Sequence, residues 1–518
     1  MSRSRLSLCF SKTGIFGVGI VLLGFAGLFI SSKPSKADSI APLLKAGVAK
    51  VEITHPDAIK VNDPLFVKAL VMQVGAKTGV LLSVDAVAIG EIGHIKNDYL
   101  GIVRGRLEKE LGISPECVIV NASHCHGVVC PDIDEKTVQA VKLAMGQLVP
   151  VKVGSGIGHE NRIMENRRLR LKNGKEADVR HAYSMPADDE VSAIGPVDPD
   201  IGILRFDRLD GRPMAVVYHF ACHPIMGVPS GGNTADFVGY ASKVIEENLG
   251  EGALALFVQG CGGDINPVGY KEVDQPRNAE PLGNLLGLSV LKAAKNIRCT
   301  PTSRFQILQE KILLPRADLS PTIDLLLLEQ EKLLKSLQGT SLNLKTAIPL
   351  AIKYNLSPEF PSSYSHRYLS EKKSGKEDLK KHDETNRGNI KAYFDNILVM
   401  EKLTRLQTNL ALVRKHQEKN LAAGRKPLAA EMMALRVGEF VLITFPGELT
   451  VEIGLNIKKS SPHKQTFVAG YTNGYIYYTP TAKQLENRGG AQEDSDCLLA
   501  PEWQMQFENK VAGILRKF

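Results

Sequence analysis

Between about Ala46 and Arg298, short apolar runs rich in β-branched residues alternate with amphipathic helical patterns. No other feature restricts the fold as strongly. The runs LVMQVG, VLLSVDAVAI, CVIVNAS, MAVVYHFAC and LALFVQG read as strands, while VQAVKLAMGQL and GYASKVIEENL carry apolar residues at helical spacing. This predicts an α/β fold: one large mixed sheet with helices on its faces and functional residues on loops at strand ends. After Pro301 the pattern changes to a helix, IDLLLLEQEKLLKSLQ. A charged stretch from about Ser357 to Asn389 follows, read as a solvated surface insert, and then a helix from roughly Ala392 to Asn420. Together they form an expected helical and polar insert over about 320–425. The chain then returns through MALRVGEFVLITFPGELTVEIG, read as a strand, a Pro-Gly turn and a helix.

The first 37 residues differ from the rest. Arg3, Arg5 and Lys12 precede the apolar run Ile15 to Ile30, and small residues Ser35 and Ala37 precede Asp38. Basic, apolar, small is the order of a secretory signal, so residues 1–37 are expected to be a signal peptide and 38–518 the mature chain, periplasmic or extracellular. The alternative is an uncleaved anchor helix, although the run is shorter than the roughly 20 residues a span needs. The leader holds five of the basic residues behind the net charge of +8, so the mature chain carries only +3. That excludes a broad electrostatic footprint for nucleic acid. Seven cysteines remain after Cys9 is removed, with no C-x-x-C pair and no regular spacing. At most one or two disulfides, and no structural zinc knuckle, are expected.

Candidate chemistry lies at the strand ends. NASHCHGVV follows the strand Cys117–Val120 and carries His124 and His126, which would share a face if the strand continued. His219 and His223 lie in VVYHFACHPIMG, His219 read as structural and His223 at the strand end. Glu448 begins the turn after VLITFPG, and Tyr475 lies in the aromatic stretch GYTNGYIYY. Each has an ordinary reading: a solvated strand end, a first-turn glutamate, aromatic packing. Taken together, two imidazoles, a carboxylate and a phenol supply the N and O ligands of four-coordinate zinc. The glycines of FVQGCGGDINP lack the Lys and Ser/Thr of a phosphate loop, so they read as sites of close backbone approach that present Asp264 and Asn266.

In order along the chain, ASHCHG, ENRR, FACHP, TADFVGYAS, GGDINP, FPGELT and TNGYIYYTPT resemble segments of the catalytic domain of neutral/alkaline, non-lysosomal ceramidases. The resemblance implies a zinc-dependent amidohydrolase with one zinc ion per chain, held by His124, His223, Glu448 and Tyr475, with Tyr478 the rival for the tyrosine role. It implies substrate contacts from His126 and Arg167. With Asn266, these make the expected catalytic set. The implied substrate is a ceramide-like sphingolipid or another acylated small molecule, met at a membrane surface. Two further readings stay open: a zinc hydrolase of another acylated metabolite, sugar or ester, and a non-catalytic envelope protein that binds lipid or glycan.

Departures from the family pattern are specific. Asn266 stands where the family has serine, Cys125 and Gly127 replace the Thr and Ser of H-T-H-S, and NRGGAQ replaces Y-E-G-A-S, removing a tyrosine and a carboxylate. An asparagine could still donate a hydrogen bond to an oxyanion. QMQFENKVAGILRKF follows the last motif, and the β-sandwich domain of the family is expected to be absent.

Overall fold

The strands Val118–Ala122 and Leu254–Gln259 are buried at every position, as expected of near-continuous apolar runs covered on both faces. In the computed structural model they are the two edges of a nine-stranded mixed sheet. The structure describes residues 42–518 apart from 59, 180–184, 228–232, 251, 273, 275 and 362–364. The expectations for residues 1–37 lie outside the described residues. Across the sheet the order is Leu254–Gln259, Pro213–Phe220, Asp200–Arg208, Val149–His159, Lys45–Glu52, Phe66–Val74, Lys77–Val84 and Val118–Ala122, with Thr300–Pro301 added to Val149–His159. The outermost pair at each end is parallel, and the pairs between are antiparallel. The sheet curls until its edges meet: the Gln259 backbone N–H donates to Asn121 Oδ1 at 2.8 Å. Both edges therefore end at one place.

Helices Asp236–Leu249 and Glu280–Ala294 cover one face, with Phe237, Ala241, Leu286 and Val290 packed on Val216, Tyr218 and Phe257. A second sheet, in the order Phe305–Leu314, Leu428–Val437, Phe440–Thr444 and Thr466–Ala469, shares the main apolar core. Its last pair is parallel. Gly202 lets the two sheets approach, since a Cβ there would lie 2.7 Å from the Phe467 ring. FVLITFPG is indeed a strand entering a turn, but MALRV before it is a separate strand, and the two form a hairpin that turns at Gly438 with φ +59.

The insert is the connection of a hairpin: Phe305–Leu314 and Leu428–Val437 pair antiparallel along their whole length. Between them lie helices Ser320–Ser336, Leu344–Leu356, Ser365–Ser374 and Asp378–Ala422. The charged stretch read as a solvated insert is exposed but largely helical, and the last helix begins at Asp378 rather than near Ala392. Mixed charges mask a helix because pairs four apart, such as Lys391 with Asp395, support it without any apolar period. All seven cysteines among the described residues are free thiols. No helix among the described residues is long and apolar enough to cross a membrane.

Candidate metal centre and active site

Six chain segments deliver the candidate residues, five of them beyond the C-terminal ends of strands that pair in parallel, Asn266 following Leu254–Gln259, as in other α/β folds. His124 lies beyond Val118–Ala122, His223 beyond Pro213–Phe220, and Glu448 beyond Phe440–Thr444; the tyrosines follow Thr466–Ala469. Arg167 comes from the link between the short strands Met164–Asn166 and Arg168–Leu171.

His124, His223 and Glu448 are buried, and one ligand atom from each lies within 4.8 Å of the others. Glu448 Oε2 is 3.1 Å from His223 Nε2 and 3.5 Å from His124 Nε2. On each ring the other nitrogen faces backbone carbonyls: His124 Nδ1 lies 2.6 Å from Val87 O, and His223 Nδ1 contacts Gly262 O and Ile265 O. A carbonyl can only accept, so each Nδ1 carries the proton and each Nε2 turns a lone pair toward the carboxylate. Burial lowers the His124 pKa to about 4 against the pull of Glu448, which keeps that ring neutral. Burial works against ionisation of Glu448, but its contacts with the two histidines and the hydrogen bond that the Tyr475 hydroxyl donates outweigh it and hold the carboxyl well below its usual range. Three buried lone-pair donors converging in this way repel unless a cation sits among them. Two imidazole nitrogens and a carboxylate oxygen are a donor set suited to a divalent metal ion.

Two tyrosines close the cluster. The Tyr475 hydroxyl donates to Glu448 Oε1, and the Tyr471 hydroxyl to Oε2 at 3.3 Å. Tyr471 also lies against His124 with ring centroids 4.3 Å apart. Tyr478 instead accepts from Arg167 Nη2 at 3.1 Å. The sequence reading missed Tyr471, although it sits in the same aromatic stretch.

His126 is exposed at the mouth, its ring 5.4 Å from that of His124. The two do not share a strand face. The strand stops at Ala122, and His124 adopts φ +70, a conformation that non-glycine residues seldom take. The chain turns His124 inward by strain, not by strand alternation. Both departures in this segment have packing causes. A Cβ at Gly127 would lie 2.6 Å from Leu65, and Cys125 is wholly buried.

Arg167 is buried and spends its guanidinium on several partners. Nη1 donates to Asn266 Oδ1 at 3.1 Å, Nη2 donates to Gly263 O, and Nε lies 2.7 Å from Glu493. Glu493 is fully buried and was missed from sequence. It restores a carboxylate near the segment where NRGGAQ removes one. Asn266 Nδ2 is a buried donor with no partner among the described residues. Asp264 is not presented to a ligand: its Oδ1 accepts from Val451 N at 2.8 Å, capping the helix Val451–Ser460. Gly263 allows the close approach expected of this loop, since a Cβ would lie 2.7 Å from Glu448 O. His219 is buried against Val468 O at 2.9 Å. His124, His126, Arg167, His223, Glu448, Tyr475 and Tyr478 line one cavity of about 360 Å³, walled further by Lys415 and Asp496.

No protein-family model matches the sequence, nor does any curated protein. Solved structures do. The crystal structure of neutral ceramidase from Pseudomonas aeruginosa matches with a TM-score of 0.56 at 14% identity, over 92% of this chain and 75% of that one. The fold is ceramidase-like. A ceramidase complexed with C2 gives a TM-score of 0.57 at 16% identity, over 91% and 74% of the two chains. At such identities the likeness is one of architecture.

Proposed function

We propose that this chain is a zinc-dependent amidohydrolase that cleaves the N-acyl amide bond of a ceramide-like lipid. The observation that carries the reading is the buried convergence of His124 Nε2, His223 Nε2 and the Glu448 carboxylate, each imidazole tautomer fixed by a backbone carbonyl. The ceramidase-like fold supports the substrate class. One zinc ion, held by these three groups with Tyr475 beside them, would supply Lewis acidity at the scissile carbonyl and make water a nucleophile near neutral pH. His126, at the mouth, takes the proton from the attacking water and returns one to the leaving amine. Arg167 is immobilised by Asn266, Gly263 and Glu493, so it orients the substrate without reorganising during the reaction. The Asn266 amide contributes to that arrangement by fixing Arg167.

Elemental analysis of the purified chain, beside His124→Ala and Glu448→Ala, tests this. About one zinc per wild-type chain, lost in both variants while the circular dichroism spectrum persists, is the expected result. Hydrolysis of a fluorogenic N-acyl amide should disappear on chelation and return with zinc. No zinc after supplementation, with full hydrolysis in chelator, would overturn the reading. Soluble short-chain amides and esters, run beside long-chain amides, define the substrate class.

A further inference from the structure

The helix Leu344–Leu356 turns its apolar side outward. Leu344, Ile348, Ile352 and Leu356 recur every fourth residue and so form one stripe along the helix. They are 60%, 46%, 55% and 77% exposed, while the residue this helix buries is the small Ala347. A surface helix normally buries such a stripe, and a contiguous exposed patch marks an interaction site. The neighbouring long helix extends the patch: Ile352, Ile390 and Phe394 line one open groove of about 570 Å³ together with Arg387 and Lys391.

The charge around this surface identifies what covers it. Leu344–Leu356 carries Lys345 and Lys353 and no acidic residue. Over residues 320–422 there are 17 Lys and Arg against 12 Asp and Glu, so this segment as a whole is basic while the rest of the chain beyond residue 37 is net acidic. A second copy of the chain would set one basic face against another. We propose that this face docks on an anionic lipid bilayer, the Leu344–Leu356 stripe entering the acyl boundary and the flanking cations meeting headgroup phosphates. The long helix links this face to the candidate active site, running from the groove at Phe394 to Lys415 in the cavity wall. At 1.5 Å per residue that is about 30 Å. A lipid substrate gives the docking its purpose, but the docking rests on the surface alone.

Co-sedimentation of the compact unit Pro42–Phe518 with vesicles of phosphatidylcholine alone, or mixed with phosphatidylglycerol, tests the proposal. The expected result is binding to the mixed vesicles that weakens with salt and falls about tenfold or more in Leu344→Ser/Ile348→Ser/Ile352→Ser and in Lys345→Glu/Lys353→Glu. Hydrolysis of a soluble short-chain amide should be unchanged in these variants, so failure of docking and failure of the amidohydrolase reading are separate results. Equal binding to both vesicle types, or no effect of either variant, would overturn the proposal. So would analytical ultracentrifugation showing a dimer that the same substitutions dissolve, because the face would then be a self-association interface.

Discussion

The candidate metal centre and the outer part of the helical insert handle polar and apolar groups in opposite ways. At the centre, His124, Tyr471 and Tyr477 take positive φ values of 70, 54 and 64, and charged groups lie fully buried. Such strain persists because carbonyl contacts, ion pairs and close glycine approaches over-determine each side chain. In the insert no backbone is strained around Leu344–Leu356, yet leucines and isoleucines stand in water. The first region gives up stability for geometry within the fold, while the second leaves surface energy unspent until something outside the fold covers it.

Removing a carboxylate from the first region should give the largest change in stability. Glu493→Gln leaves Arg167 without its buried counter-charge, and urea unfolding should show a loss of about 3–5 kcal/mol. The double variant Arg167→Met/Glu493→Gln should recover much of that loss, since it removes both charges. A loss below about 1 kcal/mol would mean that the pair does not hold the site together.

A second test uses pH. Burial raises the Asp85 carboxyl from 3.8 to about 6, against the opposing charge of Lys68 and a hydrogen bond from Phe66 N. Asp236, also buried, rises to about 6. Between those limits the folded chain binds more protons than the unfolded chain, so the contribution to stability is full below 3.8 and is lost as the pH rises through 6. Asp85→Asn should flatten the dependence of unfolding free energy on pH in that window by roughly 3 kcal/mol, at about 1.4 kcal/mol per pKa unit. An unchanged slope would mean that Asp85 titrates normally.

The smallest effect belongs to the insert. Leu356→Ser should move the unfolding free energy by no more than about 0.5 kcal/mol. A loss of 2 kcal/mol or more would show that this helix is packed in solution and would erase the contrast between the regions.

The α/β architecture was legible because its strands are continuous apolar runs and its helices are amphipathic. His124, His223 and Glu448 were legible because each follows a strand, although the alternation argument for His124 and His126 fails where the strand ends at Ala122. Other features depend on contacts that no local pattern encodes. Glu493 meets Arg167 across more than three hundred residues, Asp264 caps a helix that begins at Val451, and Tyr471 is indistinguishable in sequence from its aromatic neighbours. The early start of the long helix was hidden because its first turns have charge pairs in place of an apolar period.

The hairpin that carries the insert has a consequence for folding order. Its two strands pair over their full length, yet the connection between them runs from Pro315 to Pro427. Closing so long a loop costs little more at equilibrium than closing one half its size, because the entropy grows only with the logarithm of length. Kinetically the ladder must wait for distant residues to meet, which is slow. Within the connection, Ser320–Ser336 packs along Asp378–Ala422, as in the Gln330 to Gln407 hydrogen bond, so pairing of these two helices shortens the effective span that the second sheet has to close.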